Sequence, residues 1–152
     1  MRLIKAIAAL IIVASAMIVA SAGSSLAQQA QKYRTALSRL PLNAVLQRTV
    51  TGKGAATAEL AGQRLTITGT FAGLSSAATT ASVRLSPVTG VVGPVLFPLT
   101  VTQDVAGTVS GSAELSPPQV EALAKNKLYI QIHSKAAPDG NLWGWLFIEE
   151  KR

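Results

Sequence analysis

From Thr49 onward, apolar and polar residues alternate with a period of two. Leu65, Ile67, Gly69 and Phe71 interleave with Arg64, Thr66, Thr68 and Thr70. Ala81, Val83 and Leu85 do the same with Ser82, Arg84 and Ser86, and Val105, Gly107, Val109, Gly111, Ala113 and Leu115 with the polar or small residues between them. Leu128, Ile130 and Ile132 alternate with Tyr129, Gln131 and His133. One apolar and one polar face mark antiparallel strands that cover a shared core. Gly52, Gly62, Gly73, Gly90, Gly93 and Asp139-Gly140 punctuate the pattern as turns. The spacing predicts about seven or eight short strands, hence an all-β fold, an antiparallel Greek-key sandwich or barrel.

One helix interrupts the strands. Ser116 can cap it, Pro117 suits the first helical position, Gln119 can reach back as in a capping box, and Asn126 is a stop. Further upstream, Tyr33, Leu37 and Leu40 recur at helical spacing. That spacing predicts a weakly amphipathic, partly ordered helix over residues 28–41, with a disordered arm as the alternative.

Residues 128–146 hold the single histidine and both tryptophans of the chain. They read as a strand ending at Ser134, a polar turn with Pro138, Asp139 and Gly140, and a second strand from Asn141. Keeping Leu128, Ile130 and Ile132 on the core side fixes the register, because a one-residue slip exposes all three. The expected register sets His133 opposite Trp143, Gln131 opposite Trp145 and Tyr129 opposite Phe147. The face away from the core then carries an aromatic strip. Tyr129, Gln131, His133, Trp143 and Trp145 are the candidate contacts for a small-molecule ligand or partner protein, with Arg84 from another strand for an anionic group. Aromatic side chains supply large contact area at low entropic cost. The same face can instead be covered by another segment and form a second small core; both readings stand.

The first residues change the compartment. Arg2 and Lys5 precede an apolar run over residues 7–20, and Ser25-Leu26-Ala27 suits a signal peptidase. The chain is expected to divide into a signal peptide over residues 1–27, a basic arm over 28–41 and one domain over 42–150, periplasmic or secreted after cleavage near Ala27. An uncleaved anchor is the alternative. The absence of cysteine removes disulfides and thiol chemistry, which suits an exported bacterial protein better than a secreted animal domain.

Without Arg2 and Lys5, the fourteen basic residues become twelve against seven acids. Lys32, Arg34, Arg39, Arg48 and Lys53 all precede the first acid, Glu59. Such an arm can touch an anionic membrane surface weakly, or serve as a solvated tail. Nucleic acid is not an expected partner, because no aromatics interleave with the basic residues.

Catalytic and metal chemistry find few residues. A tight zinc or copper site wants several nitrogen or sulfur ligands, and His133 stands alone, so no metal or other cofactor is expected. A Ser-His-Asp set is nominally available from His133, Ser82 or Ser134, and Asp104 or Asp139. Nothing around them has the form of a nucleophile elbow. Gly52-Lys-Gly54 is too short for a nucleotide loop, and the acids are too scattered for sugar hydrolysis.

The pattern resembles the CHRD domain over roughly residues 42–148. The pieces are Thr51-Gly-Lys-Gly-Ala-Ala-Thr-Ala-Glu-Leu60, Leu65-Thr-Ile-Thr-Gly-Thr-Phe-Ala-Gly-Leu74, and Gly90-Val-Val-Gly-Pro-Val95 with Leu99. Tyr129-Ile-Gln-Ile-His-Ser134 follows, with Pro138, Gly140 and Gly144. The resemblance implies a β-rich sandwich or barrel of immunoglobulin-like appearance and a binding or structural module rather than an enzyme. It also implies a His-x-His strand similar to the copper strand of Cu/Zn superoxide dismutase. Here that strand reads Ala81-Ser-Val-Arg84, without either histidine, and Trp143 stands where the family has an arginine. The expected function is therefore a non-enzymatic binding or structural module of the bacterial envelope, able also to dimerise through the aromatic face. The alternative is a dismutase-like metal or redox protein with a degraded site.

Overall fold

The computed structural model describes residues 29–40, 49–88 and 90–150. The expected leader and its cleavage point lie outside these residues, as does Arg48. The strands follow the alternation: β1 Gln31–Arg39, β2 Lys53–Ala61, β3 Arg64–Ala72, β4 Ala78–Leu85, β5 Val95–Val101, β6 Gly107–Glu114, β7 Leu128–Ser134, β8 Ala137–Trp145 and β9 Phe147–Ile148. Helix α1, Pro117–Ala124, joins β6 to β7. Its start is as expected: Gln119 Oε1 accepts from the Ser116 N–H at 2.9 Å, so a first-turn donor is satisfied. Asn126, at φ 57°, ends it in a left-handed conformation that asparagine tolerates.

Every strand pairing is antiparallel, in the order β2-β3-β6-β5-β4-β7-β8-β1, and β1 pairs back onto β2. Of the architectures expected, the closed barrel is the one formed. Closure removes the free edges that an open sheet presents to other chains. The β3–β4 and β6–β7 connections each pass over two strands. Inward residues fill the interior, among them Leu37, Leu65, Ile67, Val83, Leu115, Leu123, Leu128, Ile130, Ile132, Leu142 and Leu146.

Two corrections concern the first strand and the last hairpin. Residues 31–39 form a strand, not a helical or loose arm, and β1 is the stave that closes the barrel. Tyr33, Thr35 and Leu37 point inward, while Lys32, Arg34, Ala36 and Ser38 point out. Lys32, expected on a basic arm, pairs with Glu59 at 3.3 Å.

In the hairpin, Tyr129 faces Trp145, Gln131 faces Trp143 and Ile132 faces Leu142, two residues away from the expected register. The turn is Lys135-Ala136, so Pro138, Asp139 and Gly140 lie inside β8. Between the Ile132–Leu142 and Ser134–Ala137 pairs the ladder breaks, with extra residues on β8. A proline within a sheet belongs at such a bulge, where no ladder bond needs its missing N–H. Side chains hold the distortion: Ser134 Oγ to Asn141 Oδ1 at 2.9 Å, and Asn141 Nδ2 to the Thr51 carbonyl at 2.7 Å.

Candidate functional site

The outer face of β4, β7 and β8 gathers most of the expected contact residues. Arg84, Tyr129 and Trp145 form one cross-strand row, and Ser82, Gln131, Trp143 and Ser38 form the next. Trp143 and Trp145 sit two apart on one strand and therefore share a face. Their rings meet edge to face at 4.6 Å, and Tyr129 stacks on Trp145 at 4.8 Å with planes 22° apart. Such geometries suit the ring quadrupoles and add to the area buried.

This face is not an open strip. Tyr129 and Gln131 are 0% exposed, and Trp143 and Trp145 only 7%. The three rings form a second small core against which Leu40 packs. Leu40, just past β1, is held by its N–H to the Asn141 carbonyl at 3.2 Å. The Tyr129 hydroxyl accepts from the Gly93 N–H at 3.0 Å, and Arg84 Nη1 donates to the Gly93 carbonyl at 3.0 Å. Tyr129 and Arg84 thus anchor the loop between β4 and β5.

His133 does not join the cluster. It sits at the hairpin bulge, where Nδ1 lies 2.7 Å from the Pro138 carbonyl and so carries the proton. The nominal triad does not assemble either. Ser134 is bonded to Asn141, and Asp104 Oδ1 accepts from the Val105 N–H within its own turn. Among the described residues, no three His, Cys, Asp or Glu side chains stand together to hold a metal ion. Phe147, expected on the strip, leaves the hairpin and pairs instead with Arg34 of β1, about half exposed.

Three buried polar atoms on this face have no hydrogen-bond partner among the described residues: Gln131 Oε1, Trp145 Nε1 and Arg84 Nε. Gln131 Nε2 is satisfied, donating to the Asp139 carbonyl at 3.1 Å. Buried groups of this kind are uncommon and each costs stability, so their concentration around one aromatic cluster is notable.

The edge of the cluster meets a groove that sequence reasoning did not foresee. β1 pairs with β8 at Ser38 and Arg39, and with β9 at Tyr33 and Arg34, in a single register. Residues 35–37 and 144–146 make no ladder pairs with one another. At this seam lies a groove of about 790 Å³. Trp143 and Trp145 form one wall, Ala36 and Ala55 lie alongside in register, and Phe147 and Ile148 close one end. Arg34, Ser38 and Thr57 supply polar groups. The signal that could have located it was the alternation of residues 32–38, which carries Arg34, Ala36 and Ser38 to the outer face.

A search of protein-family profiles matches the CHRD domain over residues 39–146. No curated protein and no solved structure matches the chain.

Proposed function

The chain belongs to the CHRD domain family, and from that premise we propose that it is an exported, non-enzymatic binding module of the bacterial envelope, with the tryptophan-walled groove as its ligand site. The family is one of binding or structural modules and is not catalytic. Among the described residues, no helix is long and apolar enough to cross a membrane. The observation that carries the reading is the groove at the β1–β8 seam. Its volume, about 790 Å³, lies within the range of small-molecule sites, and its walls are mainly apolar with a few polar groups at the rim. The ligand that fits is a small molecule with an apolar body. Arg34, Ser38 and Thr57 can orient its polar end, and the Trp143–Trp145 pair offers a rigid wall at little entropic cost. Tyr129, Gln131 and Arg84 act behind that wall as positioning residues, and His133 has no part.

The test fills the groove without touching the tryptophans. Ala36 and Ala55 are exposed and face each other across β1 and β2, so Ala36→Phe with Ala55→Phe adds bulk where no core packing is lost. The apolar dye anilinonaphthalene sulfonate should bind the native protein and accept excitation energy from the tryptophans. The double variant should keep its folded circular dichroism and lose that binding. Equal dye binding by both proteins would place the dye elsewhere and end the proposal.

A further inference from the structure

One end of the barrel gathers exposed apolar side chains among charged ones. Six of the seven large hydrophobic side chains most exposed among the described residues lie there. Val88, Val91, Val92 and Val95, at 64%, 49%, 54% and 50% exposure, project from the loop that joins β4 to β5 or from the first residue after it. Phe147 and Ile148, in β9, are the other two. The register places these groups at the same end. Leu85, the last residue of β4, pairs with Leu128, the first of β7, and the Leu146 N–H donates to the Leu128 carbonyl. Ile148 then pairs with Tyr33 near the start of β1.

We infer that this end of the barrel rests on a lipid bilayer, with Val88, Val91 and Val92 of the β4–β5 connection, and Val95 beside them, as the wedge that enters it. Three observations favour a bilayer over a second protein surface. First, the loop carries no charged residue over residues 86–95.

Second, it satisfies much of its own backbone, as a segment in hydrocarbon must. The Ser86 hydroxyl lies against the carbonyl oxygens of Val88 and Val91 and donates to one at a time, and the Val91 N–H donates to the Val88 carbonyl at 3.1 Å. Ser86 N–H donates to Lys127 and Gly93 N–H to the Tyr129 hydroxyl, while the Pro94 carbonyl accepts from Leu85. Pro87 and Pro94 bring no N–H at all.

Third, the chain enters the barrel at this end. Gln31 opens β1, separated only by residues 21–30 from the apolar run over residues 7–20. In the uncleaved-anchor alternative that run holds this end against the same bilayer; after cleavage near Ala27 the apolar side chains of the loop act alone.

The attraction is apolar more than electrostatic. Lys32, Arg64 and Lys125 are each ion-paired, with Glu59, Glu114 and Glu121 respectively, and Arg34 and Lys127, which form no ion pair among the described residues, are offset by Glu149 and Glu150 at the same end. A zwitterionic bilayer therefore suffices, and salt should have little effect. Shallow insertion of a few apolar side chains is the binding mode of interfacial proteins.

The absence of cysteine from the chain allows a clean test. Val91→Cys and, on the outer face of β6, Ser110→Cys each accept a single environment-sensitive fluorophore. The full chain is mixed with phosphatidylcholine vesicles, with and without nitroxide-labelled lipid. A label at position 91 should shift to the blue on vesicle binding and be quenched by the nitroxide, at low and high salt alike. A label at position 110 should do neither. Adding Val88→Ser and Val92→Ser should abolish the shift at position 91. A water-like signal at position 91 in vesicle-bound protein would overturn the inference, and so would a failure to bind vesicles. A blue shift without lipid that follows protein concentration would replace the bilayer with a second copy of the chain.

Discussion

Gly140 adopts φ +133°, a conformation that L side chains rarely take, and a Cβ there would lie 2.2 Å from Gln131 Nε2. That nitrogen belongs to a fully buried side chain already committed to the Asp139 carbonyl, so it cannot withdraw cheaply. Gly140→Ala should cost about 2 kcal/mol, strain and a lost hydrogen bond together, read as a lower urea midpoint at unchanged slope. Burial is also expressed at Tyr33, where desolvation pushes the phenol above its ordinary value of 10.0. At neutral pH the phenol is protonated in both folded and unfolded chains and makes no pH-dependent difference. Above pH 10.0 the unfolded chain loses its proton first, so stability falls until the raised folded value is passed. Thermal melts from pH 8 upward should show this fall, and Tyr33→Phe should remove part of it while leaving the melt at pH 8 nearly unchanged. Parallel curves for the two proteins would mean that Tyr33 is hydrated in the folded state.

Elements differ in how much of them the residues disclosed. The alternation at Leu65, Ile67 and Phe71, and at Leu128, Ile130 and Ile132, is enough to place β3 and β7, because each apolar residue has one face to go to. Ser116, Pro117 and Gln119 place α1 for a similarly local reason. The hairpin failed at its register, and the cause is the bulge at His133. Extra residues on β8 are held by bonds from Gln131, His133 and Ser134 to a neighbouring stretch of chain. Such bonds leave no periodic trace in a sequence. The parity of the faces survived a two-residue shift, so Tyr129, Gln131, Trp143 and Trp145 still share a face. β1 failed differently. Tyr33, Leu37 and Leu40 fit a helical period and Tyr33, Thr35 and Leu37 a strand period, and only a partner on each side decides between them. The burial of the aromatic face was undecided for the same reason, since what covers it comes from distant segments: Leu40 beyond β1 and the loop anchored at Gly93.

The whole barrel depends on that first strand more than family membership suggests. The CHRD match begins at Arg39, where β1 ends, so nearly all of the stave between β2 and β8 lies outside the matched span. β1 makes seven cross-strand pairs with β2 and contributes the almost wholly buried Tyr33 and Leu37. Burying a large apolar side chain is worth roughly 1.5–3 kcal/mol, and a domain of this size has in total only about 5–15 kcal/mol of stability. Losing two such anchors together with the β1 ladder therefore removes a large share of the margin. It also opens the edges of β2 and β8, and unpaired edges recruit other chains. A chain beginning at Leu40 should melt well below one beginning at Gln28, and should aggregate on concentration. Supplying a peptide of residues 28–39 in excess should restore part of the lost melting temperature, because that strand then binds the folded state alone. Equal melting temperatures for the two chains would show that the matched span closes without β1, and the seam groove would then be a secondary feature of the fold. Restoration by the peptide would instead establish the seam as a site that accepts an added strand, with the barrel complete only when it is filled.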